Sequence, residues 1–260
     1  QINGTSGYEE AAAQGLVAGI NAALKVQDQE PLELGRESSF IGVMIDDLTT
    51  KGVDDPYRML TARSEYRLVT RHDNADLRLT PIGREVGLVD DQRWEMFEEK
   101  RDQIDKSVER LSSTWLLPAH TEAAREIGTS EIKTKLSAYE LMRRPEVGLC
   151  DTEQLLNVLG LDSERIERQS VRDQVEIMAK FGGYIECQQR QIERNLGLEA
   201  IRIPEGFRFS SIVGLSFESI EKLERRKPTN MGQAARISGI RPTDVALLIA
   251  HVRRARATVS

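Results

Sequence analysis

The residues best suited to binding chemistry in this 260-residue chain are arginines concentrated between Pro56 and Arg84. The segment holds six arginines, no lysine and three acidic residues, in a chain whose formal net charge is −6. The six are Arg58, Arg63, Arg67, Arg71, Arg78 and Arg84. Arginine presents a planar fork of donors that matches phosphate and carboxylate groups, whereas lysine offers a point charge. The residue types alone leave two interpretations open, which are contacts to an anion such as RNA and ion pairs with the chain's own carboxylates.

Other residue types exclude several classes of site. Two cysteines form no disulfide framework or zinc set, and three separated histidines suggest no metal ligands, so we predict no metal site. The adjacent carboxylates of Asp46 and Asp47 diverge on a helix or a strand. They therefore do not form an acid–base pair, and we interpret them as surface residues or as partners of the arginines that follow. We predict no catalytic residue in this chain.

Composition indicates a helical protein that crosses no membrane. Aromatic residues are only 5% and charged residues 30%, which favours extended helices over a β-sandwich. No apolar run is long enough to span a membrane, and no signal peptide is visible, so we expect a cytoplasmic location. Because the first residue is Gln, we expect a piece of a longer chain. The negative net charge argues against a generic nucleic-acid binder, so any such surface must be local.

Two heptad-spaced patterns predict long helices that position these residues. The first runs from a cap at Asp90 to a point before Pro118 and the second covers residues 171–196, interrupted by Gly182 and Gly183. The first pattern consists of Trp94, Phe97, Arg101, Ile104, Val108, Leu111 and Trp115. The second consists of Val171, Val175, Met178, Gly182, Ile185, Gln189, Ile192 and Leu196. We predict that both helices belong to one bundle, and that the glycines mark a kink or a close helix approach.

Residues 201–260 resemble a small terminal module of helices. Ser216 is predicted to cap a helix that ends with Arg225 and Arg226, where the helix dipole favours cations. The sequence from Gln233 to Leu248 also fits part of a helix-turn-helix pattern. The alternative function is therefore a helical DNA-binding or scaffold protein. Pro242-Thr243-Asp244 offers poor donors to base edges, so a docking module for a protein or an RNA is favoured.

Three stretches together resemble one known family. They are GTSGYEEAAAQGLVAGINAAL near the start, the arginine-rich segment, and PTNMGQAARISGIRPTDVALLIAHV near the end. The chain is similar over nearly its whole length to the C-terminal part of the GidA/MnmG family, whose members are FAD-dependent tRNA-modifying enzymes. The resemblance implies a mainly α fold, with an all-helical C-terminal bundle of long heptad-patterned helices after a small remnant of an α/β FAD-binding domain. The expected domains are 1–89, 90–200 and 201–260.

The resemblance also implies partners and sites. The full enzyme would form 5-carboxymethylaminomethyluridine-type groups at wobble uridine 34 of tRNA, with the GTPase MnmE as partner, a folate as one-carbon source, NADH as reductant and a homodimeric state. Without its nucleotide-binding turn, this piece is expected to be inactive and not to retain FAD, and no DNA or membrane binding is expected. The flavin contacts would be Gln1, Gly4, Thr5 and Gly7. The expected contacts to tRNA phosphate, or alternatively to the flavin-domain surface of the same enzyme, would be Arg63, Arg67, Arg71 and Arg78. The partner contacts would be Arg236, Arg241, Arg253 and Arg254.

Overall fold

The protein, seen in a computed structural model that describes residues 3–52 and 55–259, is mainly helical, as the sequence predicts. A single pair of short antiparallel strands occurs in the described residues, β1 (Trp115–Leu116) and β2 (Leu136–Ser137). The α-helices of the described residues are α1 (Tyr8–Val26), α2 (Phe40–Asp46), α3 (Ala75–Glu85), α4 (Asp91–Ser113), α5 (Thr121–Glu126), α6 (Ala138–Leu141), α7 (Leu149–Val158), α8 (Gln169–Glu199), α9 (Phe217–Arg226), α10 (Met231–Arg236) and α11 (Pro242–Val259).

Helix starts follow local side-chain chemistry at several positions. Asp90 accepts the Arg93 amide at 2.8 Å and begins α4, as predicted. Ser216 begins α9 in the same way. A threonine before a proline, as at Thr80 and Pro81, is typical of a helix start, but α3 already begins at Ala75 and contains Pro81. Proline removes one backbone hydrogen bond there without ending the helix.

The chain divides into two compact units. Unit 1 combines residues 1–67 with residues 188–260, and unit 2 consists of residues 68–187. Helix α8 contributes to both units, because the boundary falls at its residues 187 and 188. The domain boundaries expected from the sequence, at residues 89 and 200, remain predictions.

Unit 2 has an apolar core to which both heptad patterns contribute. Its buried members include Ile104 and Leu111 of α4 and Val171 and Val175 of α8, together with side chains of α5, α6 and α7. Two positions of the first predicted pattern are wrong, since Arg101 within α4 is exposed and Trp115 is exposed on β1, after α4 has ended at Ser113. A Cβ added at Gly182 or Gly183 would meet no described atom within 4 Å, so the predicted close approach of helices is wrong.

Unit 1 contains a separate core in the terminal module. It is built from a 3₁₀ turn and helices α9, α10 and α11, and it consists of Phe209, Ile212, Leu223, Met231, Ala234, Leu248 and Val252. Outside this core, helix α2 of unit 1 buries Val43 and Met44, whereas α1 buries only Glu10 and Leu24 among its described residues. Along the described ranges, no helix combines the length and apolar character needed to cross a membrane.

Candidate nucleic-acid interface

A buried arginine that the sequence patterns do not single out, Arg36, gathers three carboxylates in unit 1. It is 5% exposed, and its Nη1 donates to Asp46 at 2.9 Å and to Asp47 at 2.8 Å. Its Nε and Nη2 form a fork on the Glu65 carboxylate at 2.9 to 3.2 Å. Burial opposes the charge, but the Glu65 and Asp47 carboxylates outweigh it and raise the pKa of Arg36.

The local backbone explains how Arg36 reaches these groups. It lies in the turn before α2, and the carbonyl oxygen of Gly35 would lie 2.1 Å from a Cβ at Gly42. Glycine at position 42 therefore allows α2 to approach the turn closely. Arg36 Nη1 and Nη2 also donate to the carbonyls of Val43 and Arg63, at 3.2 and 3.1 Å. Arg36 thus fixes the start of the arginine-rich segment against α2.

Tyr57 connects the first residues of the chain to the same cluster. Its amide donates to the Gly4 carbonyl at 2.8 Å, and its own carbonyl accepts the Ser6 amide at 3.1 Å. Its hydroxyl donates to Asp47 at 3.1 Å, and burial together with the Asp47 charge raises the pKa of Tyr57. Asp46 and Asp47 are therefore partners of Arg36 and Tyr57 and are not free surface carboxylates.

The four predicted tRNA arginines lie in different surroundings. The Arg63 guanidinium stacks on the Tyr57 ring, 4.4 Å from its centroid, and its Nε donates to the Arg58 carbonyl at 2.9 Å. Its side chain is nevertheless 40% exposed. Arg67 is exposed, and its side chain makes no hydrogen bond or ion pair within the described ranges. Arg63 and Arg67 belong to unit 1.

Arg71 and Arg78 belong to unit 2 and are used by the protein itself. The Arg71 guanidinium donates to both carboxylate oxygens of Asp73 at 3.1 Å and to the Leu68 carbonyl. It also donates to the side-chain oxygen of Gln174 in α8 at 3.0 Å. Arg78 donates to Asn74 at 3.0 Å and to the carbonyl of Arg71 at 2.8 Å. Burial and the nearby Arg71 charge lower the pKa of Arg78. These two side chains order the loop before α3.

The predicted flavin-binding loop leads into α1. Gln1 lies outside the described residues, whereas Gly4 has φ +81°, a conformation that favours glycine. Thr5 is buried, and its hydroxyl accepts the Gln14 amide at 3.0 Å. Gly7 precedes α1, and neither Thr5 nor Ser6 caps this helix with its side chain. The loop is therefore built by backbone pairing to Tyr57.

A carboxylate already lies against the N-terminal end of α1. Glu10 is 4% exposed, and its Oε1 accepts the Met59 amide at 2.8 Å. The amides of Met59 and of Glu10 itself lower the pKa of Glu10. Its Oε2 is buried without a hydrogen bond and occupies the space that a side chain at Gly7 would fill. A phosphate placed at this loop would face the Glu10 carboxylate, so the loop by itself does not favour an anion.

The four predicted partner-binding arginines also differ. Arg236 pairs with Asp46 at 3.0 Å and with Glu199, so α10 is tied to α2 and to the end of α8 within unit 1. Arg241 is 63% exposed and pairs with Asp244 at 3.0 Å. Arg253 and Arg254 are exposed on α11.

Asp244 is turned inward, away from any surface that a DNA groove would meet. It is 1% exposed and accepts the Ser219 hydroxyl at 3.0 Å. Hydrogen bonds from Arg241 lower the pKa of Asp244. Ser219 of α9 and Arg241 thus satisfy the Asp244 carboxylate, whereas Pro242 and Thr243 of the same turn are exposed. Within the described residues, no group of histidine, cysteine and acidic side chains is arranged to hold a metal ion.

Comparisons with known proteins match the chain along most of its length. Residues 91–189 match the family described as "tRNA modifying enzyme MnmG/GidA C-terminal helical domain", and residues 191–260 match its "C-terminal helical bundle". Residues 1–30 match the family described as "Glucose inhibited division protein A".

Individual relatives agree with these matches. A protein of Listeria welshimeri named "tRNA uridine 5-carboxymethylaminomethyl modification enzyme MnmG" is 47% identical over 98% of this chain and 40% of its own length. A Bacillus cereus protein of the same name is 48% identical over the same shares. The solved structure of Aquifex aeolicus GidA in its form II crystal superposes with a TM-score of 0.76 at 41% identity, covering 96% of this chain and 39% of that one. The chain therefore spans 40% of the length of the curated relatives it matches.

Proposed function

The chain belongs to the MnmG/GidA family, and we propose that it serves as the C-terminal part of an enzyme that modifies uridine in tRNA. The observation that carries this proposal is the 47% identity, over 98% of the chain, to a relative named for that activity. The finer proposal is the formation of 5-carboxymethylaminomethyluridine-type groups at wobble uridine 34, together with a GTPase partner. A cytoplasmic location and a homodimeric state of the whole protein belong to the same proposal.

In this proposal the chain binds tRNA and the partner protein and supplies no catalytic residue. Arg67 is the strongest candidate for a tRNA contact, because its fork of donors is exposed and no acceptor of the protein occupies it within the described ranges. Arg63 is the second, since stacking on Tyr57 holds its partly exposed guanidinium in place. The donors of Arg71 and Arg78 are directed at protein acceptors. The proposed role of these two side chains is therefore to order the loop before α3.

The proposed cofactor of the whole enzyme is FAD, with NADH as its reductant. When bound, the flavin would supply the redox chemistry. Gly4, Thr5 and Gly7 would line one edge of it, with Glu10 behind them at the start of α1. The loop has no cationic side chain between residues 3 and 10, so the pyrophosphate would need residues outside it. We therefore do not expect this chain alone to hold FAD.

The proposed docking surface for the GTPase partner is the exposed part of α11 with the residue before it. Arg241, Arg253 and Arg254 are the exposed arginines there. Arg236 would act indirectly, because its ion pairs to Asp46 and Glu199 hold α10 in place. The alternative of a DNA-binding regulator has little support, because Pro242 and Thr243 at the start of α11 offer no Arg, Asn or Gln to base edges.

The proposed tRNA contact is tested by a salt titration of tRNA binding to the intact protein and its Arg67→Ala variant. Each lost phosphate contact should lower the slope of log K against log salt by about 0.7 to 0.9. The matched control is Arg208→Ala, which removes an exposed arginine of unit 1 from another segment. Equal slopes for wild type and Arg67→Ala would assign Arg67 a structural role, and absence of tRNA binding by the intact protein would contradict the proposed function itself.

A further inference from the structure

A groove between the C-terminal end of α9 and α10 is lined almost entirely by cations and neutral polar groups. It has a volume of about 550 Å³, and its charged lining residues are Lys222, Arg225, Arg226 and Arg236. A smaller adjoining cavity of about 210 Å³ shares Arg226 and adds Lys227. No Asp or Glu lines either cavity among the residues that the structure describes. In a chain of net charge −6, this is a local positive surface.

The cations of this groove and of the adjoining cavity include both paired and unpaired side chains. Arg236 is held by Asp46 and Glu199, and Lys222 is 2.7 Å from Glu218. The side chains of Arg225 and Lys227 are exposed and make no hydrogen bond or ion pair with the rest of the described chain. Arg236 is therefore held in place by two carboxylates, whereas Arg225 of the groove and Lys227 of the adjoining cavity remain available to an external anion.

The lining distinguishes an RNA backbone from a protein partner or a stacked base. Ile237 is the one apolar side chain in the larger cavity's described lining, and no aromatic side chain lines either cavity. Protein interfaces depend on buried aromatic or apolar anchors, and single-strand recognition of bases depends on aromatic stacking. Arginine forks and lysines without such anchors are typical of contacts to phosphate, which position a nucleic acid without reading its sequence.

We propose that this groove binds the phosphate backbone of RNA, as a second contact surface in addition to Arg67. The inference rests on the proposed tRNA-modifying function and assigns part of the substrate contact to the terminal module. Because phosphate contacts carry no sequence information, the groove should strengthen binding of different tRNAs to a similar degree.

The test is a salt titration of tRNA binding by the intact protein and its R225Q/K227Q double variant. Loss of two phosphate contacts should lower the slope of log K against log salt by about 1.5, and by a similar amount for two tRNAs of different sequence. The control is R208Q, which removes one cation of the same module outside the groove and should leave the slope as in wild type. Unchanged thermal unfolding of both variants would establish that the fold is intact.

The outcomes separate the groove from the proposed function. If the wild-type protein binds tRNA and the double variant keeps the full slope, the groove inference is overturned while the proposed function stands. The groove inference is also overturned if the double variant loses binding to a protein partner and keeps the full tRNA slope. If R208Q lowers the salt slope as much as one groove substitution does, the slope reflects the net charge of the protein. The groove inference is then overturned, because the groove makes no phosphate contact of its own.

Discussion

The Arg36 cluster and the α9–α10 groove with its adjoining cavity both lie in unit 1, yet they use cations in opposite ways. Arg36 is buried and every arm of its fork meets an acceptor of the chain. Arg225 and Lys227 are exposed and meet none within the described residues. A run of arginines therefore does not by itself indicate a ligand. The number of acceptors that the fold brings to each guanidinium decides whether it holds the protein together or remains available to a partner.

The largest expected effect on stability comes from substituting the buried Arg36. Arg36→Met should lower the free energy of unfolding by about 4 kcal/mol, because it leaves buried carboxylates such as Asp47 without their partner. Urea unfolding followed by circular dichroism measures this. Arg225→Met is the control and should change the same free energy by less than about 0.5 kcal/mol. Equal losses for the two variants would remove the distinction between the clusters.

An intermediate effect is expected at the Asp244 carboxylate, which is buried but pairs with the exposed Arg241. The pKa of Asp244 is lowered in the folded protein, so its ionised carboxylate stabilises the fold. This stabilisation is complete above the unfolded-state pKa of about 3.9, and it is lost as the pH falls through the folded-state pKa. Asp244→Asn should cost about 1.5 kcal/mol at pH 7.

Thermal unfolding of wild type and Asp244→Asn across the acid range measures this dependence. The difference in melting temperature should shrink below about pH 4, since the wild-type carboxylate then becomes protonated as well. A difference that stays constant down to about pH 2 would indicate that packing and not charge makes Asp244 important.

The smallest expected effect comes from substituting Lys227 by glycine, which should raise stability and weaken RNA binding. Lys227 has φ +46° at the end of α9, a left-handed conformation that glycine adopts without strain. Lys227→Gly should therefore raise the free energy of unfolding by about 0.5 kcal/mol while lowering the RNA salt slope by about 0.8. Lys227→Asn, which tolerates the same backbone, is the control for charge loss alone. A variant that loses both stability and slope would show that the lysine supports the fold.

Much of the helical architecture is predictable because its signals are local. The caps at Asp90 and Ser216 and the mainly α class follow from residues adjacent in sequence. The arginine partners are not predictable, since Arg36 meets Glu65 across 29 positions and Arg236 meets Asp46 across 190.

The groove depends on tertiary packing that no local pattern contains. The sequence indicates Arg225 and Arg226 as dipole-favoured charges at the end of a helix, and only the packing of α10 beside them creates a groove. The start of α3 is missed because Pro81 suggests a first helical position, although the helix contains it further along.

The two tryptophans of the chain, Trp94 of α4 and Trp115 of β1, both lie in unit 2. Unit 1 contains no tryptophan, since the sequence has two in total. Emission excited at the red edge of indole absorption therefore reports on unit 2 alone, whereas tyrosines such as Tyr57 and Tyr66 contribute from unit 1. Tryptophan emission therefore follows the unfolding of unit 2, and circular dichroism follows the helices of the whole chain. Coincident transitions would show that the two units unfold together, and separate transitions would show that they unfold independently.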